Sequence, residues 1–341
     1  MSVEVAAGPV RRRGTVVFGV LVLALLAAVF ASLAVGTRTN PPSDVFAMLG
    51  GDRTGTAGLI RDLRVPRTLV GLMVGVALGA AGAVAQQITR NPLADPGLVG
   101  VASGAAFAVA SGVAVLGLTG PYSAVWFAFA GAAAAGALAY AVGGRGRGGA
   151  TPAKLALAGV AVSALLDAAT GAMVLSDPEA LSRYRSWAVG SLTGRDAGQA
   201  WQFVPFVAAG LIIALALSGR FNALALGDDV ATALGARAGV TRALGGLAVV
   251  LLTGAAVAAA GPIVFLGLAV PHIVGAFTGP DARKLIPASA LGGAVLLLSA
   301  DVVGRVVARP TEVEVGVVTA FLGGPFLIAL VKTGQLRERT R

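Results

Sequence analysis

Two carboxylates lie inside long apolar runs of the sequence, where an ionisable side chain is costly and is a functional candidate. Asp167 has no oppositely charged residue within one helical turn, so it could face a water-filled pathway or relay protons in a secondary transporter. Asp301 precedes Arg305 by four residues, a spacing that brings the two side chains together on one helix face. For Asp301 the simpler interpretation is therefore an ion pair.

Other residue types that could carry chemistry are scarce. The one histidine, His272, follows a proline, and we expect it to be a packed residue because no further metal ligands are spaced nearby. The chain has no cysteine, which excludes disulfides and thiolate metal sites. It also lacks a G-x-x-x-x-G-K-[S/T] phosphate loop and any set of nucleophile, base and orienting residue. We therefore expect no catalytic residue, no metal site and no cofactor in this chain.

The elements that must position these residues are apolar helices. Of the 341 residues, 56% are hydrophobic and only 12% are charged, which is about half the charge of a soluble domain. Uncharged runs of about 20 residues match the thickness of a bilayer. The composition predicts an all-α polytopic membrane protein with one membrane domain over residues 1–341. We predict ten spans, at residues 15–35, 68–88, 98–117, 122–142, 153–174, 200–218, 241–260, 262–278, 286–306 and 315–332.

The second predicted span carries glycines at three- and four-residue steps, so that they make one smooth helix face where another backbone can approach closely. A turn is predicted directly after it, because residues 91–97 read NPLADPG and combine two prolines with Asn and Asp. The glycines are Gly71, Gly75, Gly79 and Gly82.

The distribution of Lys and Arg predicts the orientation. An even number of spans puts both termini on one side, and most basic residues in short loops fall on that side, which indicates the cytoplasm. Residues 1–14 would then be a cytoplasmic tail. The net charge of +10 is explained by these loops, so we expect no nucleic-acid partner. Spans two to five and seven to ten enter the membrane from opposite faces, which is typical of inverted four-helix repeats. Arginines that remain on the outer side need another explanation, unless the first helix alone sets the topology.

The loop at residues 219–240 differs from the other loops. Asp228 or Asp229 can cap a short helix over residues 230–234, and Gly235 can end it. Such a short amphipathic helix suits either a partner protein or the lipid surface, and the residues alone leave both interpretations open.

Several long segments together resemble the permease subunit of the ABC importers for iron chelates and vitamin B12. They agree in order and spacing from about Arg61 to Lys332. The segments are RVPRTLVGLMVGVALGAAGAVAQQITRNPLADPGLVGVASGA, LALGDDVATALGARAG, GPIVFLGLAVPHIVGAFTGPDARKLIPASALGGAVLLLSADVVGRVV and VGVVTAFLGGPFLIALVK.

The resemblance implies ten helices of the type II importer fold, pairing with a second copy or a close paralogue, and two ATPase subunits that bind ATP and Mg²⁺. It also implies an extracytoplasmic substrate-binding protein that docks on outward arginines. The implied site residues fall into three groups: Arg64, Arg67 and Arg305 for docking; Leu226, Gly227, Asp228, Asp229, Leu234 and Gly235 for coupling to the ATPase; and Ser163, Asp167, Thr319 and Phe321 for the pathway.

The sequence is therefore interpreted as a multi-pass subunit of the cytoplasmic (inner) membrane that imports a ferric siderophore by alternating access. Haem or cobalamin is the alternative substrate within the same family. A proton-coupled secondary transporter that uses Asp167 and Asp301, and a structural membrane scaffold, are the alternatives from other classes.

Overall fold

The computed structural model describes residues 9–37, 40–116, 121–145, 151–176, 178–194, 198 and 201–332. All regular elements within these ranges are helices. They are α1 Pro9–Ala34, α2 Pro42–Leu49, α3 Gly55–Leu59, α4 Val65–Thr89, α5 Val101–Leu116, α6 Pro121–Gly143, α7 Pro152–Leu175, α8 Pro178–Ala188, α9 Val204–Ala216, α10 Ser218–Ala225, α11 Asp228–Ala233, α12 Ala238–Ala260, α13 Leu266–Thr278, α14 Ala282–Val307 and α15 Val315–Lys332.

Ten of these regions match the ten predicted spans. In the described residues, six helices are long and apolar enough to cross a membrane, and the α9–α10 pair, bent by 50°, makes up to seven. Three shorter apolar helices correspond to the third, eighth and tenth predicted spans. This confirms the all-α polytopic fold. The sixth span is bent rather than straight, because α9 ends at Ala216 and Ser218-Gly219, a pair typical of helix kinks, begins the next helix.

The central element is a continuous helix, Gly55–Thr89, in which α3 leads through a π-helical turn, Ile60–Arg64, into α4. In the most apolar stretch of this helix 78% of the residues are buried inside the protein, whereas in that of α1 only 11% are buried. The chain then turns sharply at Arg90, whose φ of 49° is left-handed. Helix α4 is thus surrounded by protein, and α1 faces outward.

Close backbone contact explains the glycines of α4. A Cβ atom added at Gly75 would lie 2.6 Å from the Cα of Ala294 on α14. One added at Gly79 would overlap the carbonyl of Ser289, also on α14, and one at Gly82 would overlap the backbone of α13. The prediction of a smooth glycine face is confirmed.

The turn after α4 is confirmed as well. The side chain of Asn91 accepts from the backbone N–H of Leu93 at 2.9 Å, and that of Asp95 accepts from the N–H of Gly97 at 2.8 Å. A short 3₁₀ turn, Pro96–Val99, follows and leads into α5.

The short helices α2, α3, α8 and α10 were not predicted. Helix α2 lies beyond the end of α1, and α8 follows α7 between the fifth and sixth predicted spans. The end of α8 joins three elements, since the N–H of Ser191 donates to the carbonyl of Ala260 on α12 and the N–H of Gly316 on α15 donates to Gly190. The proline at the first position of α8 was the available signal.

Candidate docking, coupling and pathway sites

An ionic cluster lies at the N-terminal end of α4. We name Arg67, Asp301, Arg305 and Glu312 the Arg67 cluster. Arg67 donates to Asp301 through Nε and Nη2, with 2.7 Å between Nη2 and Oδ1, and through Nη1 to Glu312 Oε2 at 2.6 Å. Arg305 Nη2 pairs with the second oxygen of Asp301, which confirms the predicted ion pair within α14.

Three of the four side chains of this cluster are buried, and that of Glu312 is 26% exposed. The side chains of Asp301, Arg305 and Arg67 are 1%, 2% and 11% exposed. Arg305 Nη1 also donates to the carbonyl of Ser32 at 2.7 Å and Nη2 donates to the hydroxyl of Ser32 at 3.0 Å, so that it ties α14 to α1. A buried ion pair is stable only when both charges and their remaining hydrogen bonds are satisfied. Arg305, expected to be a docking residue, therefore holds the interior of the cluster, with only 2% of its side chain exposed.

A cavity of about 670 Å³ opens beside the Arg67 cluster. Arg64 and Arg67 both line it, together with Glu312 and Arg305. Arg64 is the last residue of the π-helical turn, an element often found at functional sites. Its Nη1 donates to the carbonyl of Leu33 at 2.7 Å. The two arginines of the R-x-P-R segment are therefore brought together at one cavity, and Arg305 adjoins it.

A second ionic cluster lies at the opposite end of α4, about 35 Å away at 1.5 Å per residue. We name Arg90, Asp228 and Arg242 the Asp228 cluster. Arg242 donates to both oxygens of Asp228 at 2.6 and 2.9 Å, and Arg90 pairs with the same carboxylate. Hydrogen bonds from Arg242 lower the pKa of Asp228 below its ordinary value, and the charges of Arg242 and Arg90 add to the effect. The Asp228 side chain remains 45% exposed.

The pairing of Asp228 corrects the prediction that an aspartate caps the short helix. Helix α11 begins at Asp228 and its N-cap is Gly227, which has a φ of 114° and no side chain to donate or accept. The Asp228 carboxylate binds two guanidinium groups instead of the helix N–H groups. Gly235 does end the helix as predicted, since it has a φ of 80° and its N–H donates to the carbonyl of Thr232.

The segment around α11 exposes apolar side chains on one side. Leu226, Val230 and Leu234 follow each other at four-residue steps, and all three are exposed. Asp229 is exposed as well. The preceding helix α10 is fixed to the start of α14, because the side-chain amide of Asn222 donates to the carboxylate of Asp281 at 2.7 Å. The α11 segment can therefore present an apolar surface to a partner while ionic and amide contacts fix its position.

The four pathway candidates do not converge on one cavity. Phe321 is 80% exposed and lines an open groove of about 470 Å³ together with residues of α8 and of the segment before α13. Asp167 is exposed on α7, and Ser163 is half-buried. Thr319 is buried and donates to the carbonyl of Gly316 at 3.0 Å. A pathway formed by these residues would need a second surface facing α7 and α15.

No group of three or more metal-ligating side chains occurs in the part of the chain that the structure describes. His272 is buried in α13, and its ring contacts that of Phe326 edge-on at 5.9 Å between centroids. This supports the interpretation of His272 as a packed residue.

Several residues of these clusters were missed by sequence reasoning. Glu312 and Ser32 lie 245 and 36 residues from the α4 side chains that they contact, Arg67 and Thr68, and no short-range pattern relates them. Asp95 was assigned only to a turn, yet burial raises its pKa to about 6 while it accepts from the N–H groups of Gly97 and Leu268. A carboxylate that connects the turn to α13 has no signature in local sequence.

Comparison with known proteins gives consistent results over nearly the whole chain. The ferric enterobactin transport system permease protein FepD of Escherichia coli is 42% identical over 314 residues, covering 92% of this chain and 93% of the relative. A probable siderophore transport system permease protein of Bacillus subtilis, YfiZ, is 39% identical, covering 92% and 95%. The hemin transport system permease protein HmuU of Yersinia pestis is 37% identical, covering 82% and 83%.

A solved structure described as an inward-facing conformation of a metal-chelate type ABC transporter is also similar. It superposes with a TM-score of 0.78 at 28% identity, covering 94% of this chain and 99% of the other. The sequence model of a family of transport proteins matches residues 24–333, from within α1 to just past the end of α15. The match contains the last part of α1, the nine following apolar regions, the two ionic clusters and the exposed α11 segment, and the chain belongs to the FecCD transport family.

Proposed function

We propose that this chain is the membrane-spanning permease subunit of an ATP-driven importer that carries a ferric siderophore across the cytoplasmic membrane by alternating access. The observation that carries the proposal is the pair of ionic clusters at opposite ends of one buried helix. One cluster adjoins a cavity, and the other holds a short helix with an exposed apolar face. A subunit that receives cargo at one end and is driven from the other needs both surfaces. The names of the siderophore relatives support the cargo class.

The Arg67 end is proposed to face outward and to receive the substrate-binding protein. Arg64 and Arg67 would bind acidic side chains of that protein, since charged contacts steer and register a docking partner. Arg305 would act as a positioning residue, because it holds Asp301 and through it the guanidinium of Arg67. In this structure Glu312 forms an ion pair with Arg67. On docking, an acidic residue of the binding protein would replace Glu312 in that pair.

The Asp228 end is proposed to face the cytoplasm, with residues 219–240 as the coupling loop, and both termini on that side with residues 1–14 as a tail. The exposed side chains of the α11 segment would enter a groove of the ATPase. Two ATPase subunits would bind ATP and Mg²⁺, and this chain would carry neither a catalytic site nor a cofactor. The coupling residues are Leu226, Gly227, Asp228, Asp229, Leu234 and Gly235.

The pathway is proposed to lie between this chain and a second copy or a close paralogue, within one membrane domain per chain over residues 1–341. The exposure of Phe321 and Asp167 supports this, because both would otherwise face lipid. Ser163 and Thr319 complete the proposed wall.

Haem or cobalamin is the second candidate cargo, supported for haem by the hemin permease relative. A proton-coupled carrier is less well supported, because the carboxylate of Asp301 is held by Arg67 and Arg305. Replacing Asp167 with Asn separates these readings: ATP-driven uptake would persist, whereas a proton carrier would lose its activity.

The experiment reconstitutes the chain with its partner ATPase subunit in liposomes. ATP hydrolysis is measured with and without the substrate-binding protein loaded with a ferric siderophore. We expect stimulation that Arg64→Glu abolishes, because Arg64 lines the cavity without belonging to the buried cluster. Arg61→Glu is the matched control, since this exposed arginine lies in the same π-helical turn but not at the cavity. Uptake that a pH gradient drives without ATP would overturn the proposal.

A further inference from the structure

An apolar groove at the Asp228 end has no place in the docking, coupling or pathway surfaces. Its volume is about 470 Å³, within the range of small-molecule sites, roughly 300–1,000 Å³. Helices α6, α7 and α12 form its sides and the last turn of α4 contributes Ile88 and Thr89. Nearly all of its lining is aliphatic, and the charged side chain that it contains is Arg242. Leu247 of the lining is exposed, so the groove opens to the outside of the subunit.

Three helix ends meet at one end of this groove. The hydroxyl of Tyr140 near the end of α6 donates to the carbonyl of Gly239 at the start of α12, at 3.4 Å. A Cβ atom at Gly143 would lie 3.1 Å from the Cα of Leu155, so the end of α6 also touches the start of α7. Three basic residues lie within two residues of these contacts along the chain: Arg145, Lys154 and Arg237.

Arg242 adds to the positive charge at this end. Its side chain is 4% exposed, both of its Nη atoms bind Asp228, and its buried Nε has no hydrogen-bond partner among the described residues. Arg90 shares the same carboxylate. Two arginines therefore already share the carboxylate of Asp228.

We propose that this groove binds an anionic phospholipid, with one acyl chain between α6, α7 and α12 and the phosphate at Arg145, Lys154 and Arg237. An aliphatic surface open to the membrane accepts a hydrocarbon chain, and basic pockets between membrane helices select anionic headgroups. The site stands on its own geometry; only its assignment to the cytoplasmic leaflet rests on the proposed orientation. The phosphate would supply negative charge next to the Asp228 cluster, which holds α11.

The test measures lipid binding directly. The purified full-length chain is titrated in detergent with dioleoylphosphatidylglycerol or dioleoylphosphatidylcholine, and bound lipid is counted by native mass spectrometry. The two lipids share acyl chains and differ in net charge. We expect preferential binding of phosphatidylglycerol. The double variant Arg145→Gln with Arg237→Gln should lower its affinity about thirtyfold, because each basic residue near an anionic headgroup raises the affinity about fivefold.

Two further variants keep the test decisive. Arg220→Gln with Arg283→Gln removes the same charge from exposed positions on α10 and α14, which contact each other away from the groove, and should leave binding unchanged. Gly246→Leu fills the groove, since a Cβ there meets only Tyr140 at 3.9 Å, and should displace the lipid. Equal binding of both lipids, equal losses in the two double variants, or full binding to Gly246→Leu would each overturn the proposal. This measurement does not involve transport, so it can fail while the importer proposal holds.

Discussion

The charged side chains at the two ends of α4 differ in how deeply they are buried. At the Arg67 end, two arginines and Asp301 are buried together, and the cluster joins α1, α4 and α14. At the other end, Asp228 stays 45% exposed, although its partner Arg242 is buried, and it begins a short surface helix. An ion pair with both members buried is rigid, since removing one partner leaves an uncompensated charge, whereas a carboxylate that water reaches is held less strongly and can rearrange. The comparison indicates a fixed framework at one end of the helix and a movable attachment at the other.

Removing the shared carboxylate of the buried cluster should have the largest effect. Asp301→Asn leaves Arg67 and Arg305 without their common partner, and we expect a loss of about 3–5 kcal/mol in unfolding free energy. Denaturation of the purified protein in detergent measures it. Asp167→Asn is the control, because Asp167 is exposed on α7, and it should change stability little. Equal stability of the two variants would contradict the comparison.

Asp95 tests burial without a cation. Its folded pKa of about 6 lies above the ordinary 3.8, so its contribution to stability is fully present below pH 3.8 and is lost as the pH rises through 6. Asp95→Asn keeps an oxygen acceptor and should remove this pH dependence, with a stability gain of about 1–3 kcal/mol at pH 7.5. Thermal unfolding at pH 4.5 and pH 7.5 measures it. An unchanged pH dependence in the variant would show that Asp95 does not titrate in this range.

Glu312 tests whether the cavity side of the Arg67 cluster is open to a partner. If an acidic residue of the binding protein must displace Glu312, then Glu312→Gln should tighten docking by about threefold to tenfold. Surface plasmon resonance with the loaded binding protein measures the affinity. Asp62→Asn is the matched control, since Asp62 also lines the cavity and loses the same charge. An equal gain in both variants would point to general electrostatics instead.

The smallest effect on stability is expected at the Asp228 cluster. Asp228→Asn should cost about 1–2 kcal/mol, less than Asp301→Asn and less still at high salt, because water reaches the 45% exposed carboxylate although its partner Arg242 is buried. Since its pKa is lowered, the contribution of Asp228 is present above pH 3.8 and is lost as the pH falls through its folded value. Unfolding at two salt concentrations, with Asp229→Asn for comparison, measures this. A cost equal to that of Asp301→Asn would remove the distinction between the two ends.

Much of the fold followed from local chemistry. Runs of about 20 apolar residues predicted the helices, the spacing of glycines on α4 predicted its close packing, and the 91–97 turn followed from its prolines and side-chain caps. The pair Asp301–Arg305 followed from a four-residue spacing. These features depend on residues that are neighbours along the chain, so the physics that produces them is visible in the sequence.

By itself, the sequence determined that this is an all-helical membrane protein, where its ten long apolar regions run and which charged residues lie at their ends. Only the tertiary structure decided which charges meet. Arg305 is buried because it contacts Ser32 and Asp301. Asp228 does not cap its helix because its carboxylate pairs with Arg90 and Arg242. Contacts such as Arg67 with Glu312 join residues 245 positions apart. Their pairing depends on how the helices pack, and no local propensity encodes that packing.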